Sequence, residues 1–200
     1  MGIRSKNAER CGRCRMHLPL CICASIPRLV IGTRLILVMH HREEKKPTAT
    51  GPLALEMLPN SELRIHGRRE TPLDFGDFDG SDRRTLLLYP GEDAEILSAA
   101  FLDRDRRPVN LIVPDGSWRQ AARMGKRLPG LQMAERVRLP DGPPTRWGVR
   151  REIHAHCLST FEAIARAMGI LESPTVQRSM EELFDLMVER TFQANGRTSL

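Results

Sequence analysis

Four thiols and one loop acid are the side chains of this sequence whose types and spacing could do chemistry. The thiols lie in CGRCRMHLPLCIC, as Cys11, Cys14, Cys21 and Cys23. Cys11 and Cys14 form a CxxC turn in which Gly12 is expected to permit the tight backbone, and Cys21 and Cys23 can supply a second pair. Four thiolates suit one tetrahedral zinc, which would fold a short segment that has little core of its own. His17 could replace one sulfur. An iron–sulfur cluster or a redox dithiol are the other uses such a set has. A cytosolic chain would not lock them as disulfides. Cys157 stands apart in an apolar-spaced stretch, where a buried small side chain is expected.

The acid is Asp115, in PVNLIVPDGSWRQAARM. It follows a branched apolar run and a proline, and Ser117 and Trp118 come directly after. One reading is an acid placed at a helix start, where the helix dipole favours negative charge. The other is an acid poised over a bound substrate. Trp118 divides in the same way, between a core plug and a flat face for a ring. Other strand ends carry polar loops too. HHREEKKPTATG offers Thr48, Thr50 and Gly51, hydroxyls and open backbone before a helix, able to hold a sugar, a carboxylate or a phosphate. His40 and His41 there could be catalytic or structural. YPGEDA brings Tyr89 and Pro90. CLSTFEA brings Leu158, Ser159 and Thr160, with Ser159 and Glu162 spaced as a capping box.

The elements that must position these residues follow from periodicity. Continuous apolar runs at 29–41, 84–90 and 107–114 read as strands buried on both faces, which favours parallel pairing. Residues 61–67 and 131–140 are further short strands. LALEML, GEDAEILSAAFLD and SWRQAARMGKRL read as helices, ETPLDFGDFDGSD as a surface loop, and DGPPTRWGVRR as a rigid arginine-rich loop. Two helices close the chain, from Ile153 to Met168 and over 179–196. In the last, a stripe of Met180, Leu183, Phe184, Met187 and Val188 faces the core before Gly196 stops it. The repeated strand–loop–helix rhythm predicts an α/β domain with a mostly parallel sheet and its sites at the strand carboxyl ends. The expected division is a knuckle at 1–27 and a main domain at 28–200.

The chain has 200 residues, 40% of them hydrophobic, and a formal charge of +6 carried mostly by arginine. Arginine's planar fork suits phosphate, so a nucleic acid is the favoured partner. No apolar run is long enough to span a membrane, and no secretory signal is expected. GxGxxG, the phosphate-binding lysine loop and the nucleophile elbow of hydrolases are all missing from the sequence.

Taken together, CGRC…LCIC, HHREEKKPTATG, LLYPGEDA, DGSW and CLSTFEAIARAM resemble the DTW-domain family over Cys11 to about Met168. The family signature is aspartate, any residue, threonine and tryptophan; here Ser117 takes the threonine's place. The resemblance implies a fold like the SPOUT methyltransferases, with a deep C-terminal trefoil knot, preceded by a knuckle holding one structural zinc. It implies transfer of the 3-amino-3-carboxypropyl group of S-adenosylmethionine to N3 of a uridine in the variable loop of tRNA. A cofactor pocket would be made by Thr50, Gly51, Tyr89, Pro90, Asp115, Trp118, Leu158, Ser159 and Thr160. Uridine N3–H is a weak acid, so Asp115 is the candidate general base. Arg13, Arg15, Arg146, Arg150 and Arg151 are expected on tRNA phosphates. A cytoplasmic protein follows, with no membrane association and no obligatory protein partner. A methyltransferase of the SPOUT kind and a non-enzymatic, zinc-bearing RNA-binding module are the competing readings.

Overall fold

The computed structural model describes residues 9–68, 70, 73, 75–78, 82–128, 130–131, 133–148 and 158–196. Its centre is a six-stranded sheet formed by β1 (Arg34–His40), β2 (Ser61–His66), β3 (Arg84–Leu88), β4 (Glu95–Ile96), β5 (Val109–Asp115) and β6 (Glu135–Arg138). The strand order is β2-β1-β5-β3-β6-β4, and every pairing is parallel. The helices are α1 (Gly51–Met57), α2 (Ala99–Leu102), α3 (Trp118–Arg127), α4 (Thr160–Leu171) and α5 (Pro174–Ala194).

The continuous apolar runs have a simple cause. Successive side chains of a strand point to opposite faces, and here both faces are covered. Leu35, Leu37 and Met39 of β1 join one core with α1, α4 and α5, whereas Ile36 and Val38 join a second core under α3. β5 divides likewise, with Leu111 and Val113 in the first core and Ile112 in the second. This parity places functional side chains as well. Asp115 shares the face of Leu111 and Val113, while His40 shares that of Ile36 and Val38.

Two expectations are corrected. The stretch read as a surface loop around 70–82 buries Phe75 and Phe78 in the second core, with the Arg64 guanidinium 5.2 Å and 4.6 Å from their ring centres. Its acidic composition hid two apolar anchors. GEDAEILSAAFLD is not one helix: Glu95 and Ile96 add an edge strand to β6, and the helix starts afresh after Ser98, whose hydroxyl accepts from Phe101 N–H. α5 ends as expected, with Gly196 at φ 66°, a conformation glycine adopts without penalty. Cys157 lies outside the described residues. Among the described residues, no helix is long and apolar enough to cross a membrane.

Candidate active site and cysteine centre

Asp115 ends the central strand β5 and is buried, at 5% exposure. One carboxylate oxygen, Oδ1, accepts a hydrogen bond from Thr160 Oγ1 at 2.7 Å. The other faces the start of α1: a β-carbon on Gly51 would stand 2.9 Å from Oδ2, and 3.0 and 3.1 Å from the Leu37 methyls. Only a residue without a side chain leaves the carboxylate that room. Thr50, also buried, accepts from the backbone N–H of Phe161 at 3.3 Å. Three segments distant in sequence, at 50–51, 115 and 160–161, thus meet at the carboxyl end of the sheet.

From Asp115 the chain passes over the strand ends to α3 on the opposite face. Ser117 caps that helix, accepting from Gln120 N–H while Gln120 Oε1 accepts from Ser117 N–H. The hydroxyl that stands for threonine therefore works as a helix cap. Trp118 is no core plug: it is 45% exposed, and its ring lies 6.5 Å from that of Tyr89, at the end of β3. The exposed Trp118 and the half-buried Tyr89, which packs against the second core, thus form an aromatic pair at the strand carboxyl ends, and Pro90 beside it is exposed.

The start of α4 is fixed by a second carboxylate. Ser159 and Glu162 form the expected capping box. Glu162, buried at 5%, also accepts from Thr145 Oγ1 at 2.5 Å and from Arg146 N–H at 2.6 Å. Its oxygens are thereby committed to backbone and hydroxyl donors, which makes it a positioning residue. The wiring through Thr145 crosses a stretch without periodicity and had no signal in the sequence. His40 stands on the opposite face of the sheet from Asp115, in a group with His41 and His66 whose ring centres lie 4.6 and 6.0 Å from its own. Burial first, and then these neighbours, hold the His40 imidazole below its ordinary pKa.

The arginines expected on phosphate are differently placed. Arg146 pairs with Glu181 and Asp185 of α5. Arg13 pairs with Glu56 of α1. Arg150 and Arg151 lie outside the described residues. Arg13 and Arg15 line a cleft of about 210 Å³ between the cysteine segment, residues 47–53, Trp147 and the end of α5. This cleft reaches Thr50 but not Asp115. Among the described residues, the buried Arg15 Nη1 and His17 Nδ1, both from cleft-lining residues, have no hydrogen-bond partner.

The four sulfurs all lie within 4.8 Å of one another. Cys11 and Cys23 are 3.5 Å apart, and Cys14 and Cys21 3.7 Å. Those spacings are too long for a disulfide and close to the roughly 3.8 Å edge of a tetrahedron with bonds of about 2.3 Å. The donor set fits a tetrahedral metal ion. Backbone N–H groups of Cys14 and Arg13 bring the Cys11 thiol down to about 6, while burial pushes Cys23 up to about 12 and Cys14 upward. Binding of a metal would therefore release protons. Gly12 is not the residue that makes the turn: a side chain there would meet nothing within 4 Å, and it is Arg15 that adopts φ 62°. The segment is anchored by Cys14, Met16 and Ile22, which belong to the first core.

The DTW domain profile matches residues 8–192, spanning the cysteine cluster, the Asp115 loop and both final helices. The chain belongs to the DTW-domain family. It is 32% identical over 180 residues to the mouse (Mus musculus) protein named tRNA-uridine aminocarboxypropyltransferase 2, covering 86% of this chain and 60% of the relative. The Macaca fascicularis protein of that name is 31% identical, over 84% of this chain and 58% of the relative. The Drosophila melanogaster one is 27% identical, over 82% and 67%. The DTW chain described here thus spans about six-tenths of the length of the first two relatives. No solved structure matches it.

Proposed function

We propose that this DTW protein is a tRNA-uridine aminocarboxypropyltransferase, moving the 3-amino-3-carboxypropyl group of S-adenosylmethionine to N3 of a uridine. The observation that carries the reading is the buried Asp115 carboxylate at the strand mouth, oriented by Thr160, with the exposed Trp118 and the half-buried Tyr89 paired at the same end of the sheet. The names of the relatives support the same reaction class. A tRNA variable-loop uridine is the proposed acceptor.

The residues present fit the donor. Trp118 beside Tyr89 offers an apolar face to a purine, and Pro90 extends it. Thr50, Gly51, Leu158, Ser159 and Thr160 bring hydroxyls and backbone to the same junction, suited to the sugar and the amino-acid end. When bound, S-adenosylmethionine supplies an electrophilic carbon on a sulfonium, and its remainder departs neutral as methylthioadenosine. Nothing on the chain therefore has to act as an acid. What the chain must do is take a proton from N3–H as N3 forms its bond to carbon. Asp115 is the proposed base, its carboxylate oriented by the Thr160 hydroxyl. Glu162 contributes by holding the start of α4, which holds Thr160 in turn. The rest of the rate comes from orientation of the two reactants.

The cysteine set is proposed to bind one structural zinc through Cys11, Cys14, Cys21 and Cys23. Arg13 and Arg15, lining the cleft beside this knuckle, are proposed phosphate contacts, together with Arg150 and Arg151. Arg146, which also ties its loop to α5 through Glu181 and Asp185, is proposed as a further phosphate contact. The parallel order β2-β1-β5-β3-β6, with α4 returning to Asp115 and Thr50, supports a SPOUT-like main domain with a C-terminal knot. A cytoplasmic site of action without an obligatory protein partner completes the proposal. The test is mass spectrometry of nucleosides from unmodified tRNA incubated with protein and S-adenosylmethionine. A uridine heavier by one aminocarboxypropyl group is expected. A gain of only a methyl group would replace the reading with that of a methyltransferase, and no gain at all would leave a binding protein.

A further inference from the structure

α3 begins at Trp118, beside the proposed site, and runs away from it for ten residues. Its inner side buries Ala121, Met124 and Gly125. Its outer side carries Arg119, Arg123, Lys126 and Arg127, all exposed. At 100° per residue these four fall within one narrow arc, opposite the buried positions. The helix contains no acidic residue.

Among the described residues, unpaired cations elsewhere, such as Arg28, Arg138 and Arg178, stand on separate segments, whereas this stripe gathers four on one helix face, and many other arginines are paired. Arg34 meets Glu62, Arg68 meets Glu44, Arg84 meets Glu135, and Arg104, Arg106 and Arg107 meet Glu95, Asp103 and Asp105. Arg13 and Arg146 are answered by acids as well. Among the described residues, the four cations of α3 form no ion pair and no hydrogen bond. Four like charges left together on one face cost self-repulsion, which a polyanion relieves and releases counterions in doing so. The stripe spans about 12 Å along the helix axis, and its first end lies beside the exposed Trp118, whose ring neighbours that of the half-buried Tyr89.

We infer that the outer face of α3 is a docking track for the phosphate backbone of tRNA, leading the acceptor nucleotide to the strand-end site. The inference rests on the reading that tRNA is the substrate. Arginine and lysine there contact phosphates and carry no sequence information, so they set affinity and approach. Trp118 marks where the track ends and the proposed site begins.

The test compares three full-length proteins by tRNA binding over a range of salt concentrations. They are the parent, the quadruple variant Arg119→Gln/Arg123→Gln/Lys126→Gln/Arg127→Gln, and a control, Arg104→Gln/Arg106→Gln/Arg107→Gln. Glutamine keeps helix propensity, and matched melting curves establish that the fold is retained. The α3 variant is expected to bind tRNA on the order of 10–100-fold more weakly. Its log–log salt slope should fall by about two to four units, roughly one per lost phosphate contact. Its S-adenosylmethionine affinity should equal the parent's, and the control should keep the parent's salt slope. A parent that binds and modifies tRNA alongside an α3 variant with unchanged affinity and slope overturns the track alone. An equal loss in the control overturns it too, because net charge would then suffice. A parent that neither binds nor modifies tRNA overturns the reading on which the track rests.

Discussion

The cysteine centre and the Asp115 site are built in opposite ways. The first draws all four of its candidate ligands from thirteen consecutive residues, closed by short-range turns such as Arg15 N–H to Cys11 O and Cys21 N–H to Leu18 O. The second joins residues 50–51, 89, 115–118 and 158–162, and only the parallel sheet brings them together. A local site of four thiols would depend on a bound metal for its shape. A distributed one depends on helix starts, and here the start of α4 is held by Thr50 and Asp115 from distant segments, while that of α3 is capped locally by Ser117 and Gln120. Damage should therefore stay confined in the first region and spread in the second.

The largest expected effect tests that confinement. Cys14→Ser should reduce bound zinc from one per chain to none by elemental analysis, because three thiolates and a serine do not make a closed structural shell. Protease sensitivity should rise in the knuckle, while S-adenosylmethionine affinity at the strand-end site stays near the parent's. Equal loss of both would show that the two regions are one cooperative unit, a possibility already carried by Met16 and Ile22 in the main core.

Gly51→Ala tests the crowded side of the distributed site. Its new methyl would press on Asp115 Oδ2 and the Leu37 methyls, so a cost of about 1–3 kcal/mol by chemical denaturation is expected. Transfer activity should drop with it, as the carboxylate is pushed aside. Full activity and stability would mean that α1 yields easily and that the close approach has no role.

Glu162→Gln should cost on the order of 2–3 kcal/mol, since an amide cannot replace a carboxylate that receives Thr145, Arg146 and Ser159 together. The rate at saturating substrates should stay within a few-fold of the parent's, and weaker cofactor binding should account for most of the defect. A collapse of the saturated rate with unchanged stability would instead make Glu162 a proton carrier.

The smallest effect concerns pH. His40 and His66 both titrate below the ordinary value of 6.5, chiefly through burial. Below that value the unfolded chain takes up protons that the folded rings refuse, so stability is complete above about 6.5 and declines as pH falls. Melting temperature should drop on the acid side, and His40→Asn/His66→Asn should flatten part of that decline. An identical acid-side slope in the double variant would remove the histidine group from the account.

Sequence and structure agree where a pattern is local. The apolar runs gave β1, β3 and β5, and the Ser159–Glu162 spacing gave a real capping box. The cysteine spacing foretold a four-sulfur cluster, although Arg15 and not Gly12 makes its turn. Phe75 and Phe78 escaped notice because acidic neighbours masked their burial. The link from Thr145 to Glu162 depends on a loop returning to a helix, which no local pattern encodes. The stripe of Arg119, Arg123, Lys126 and Arg127 was legible from helical spacing, but its lack of acidic partners becomes visible only once the rest of the chain is folded.

The most direct measurement is single-turnover transfer by Asp115→Asn at saturating S-adenosylmethionine and tRNA. Asparagine keeps the shape and the oxygen facing Thr160, so folding and both affinities should largely survive. The chemical step should slow by about 10²–10⁴, the usual worth of a positioned base. A rate within a few-fold of the parent's, accompanied by a lower melting temperature or weaker cofactor binding, would contradict the account and make Asp115 a scaffold residue.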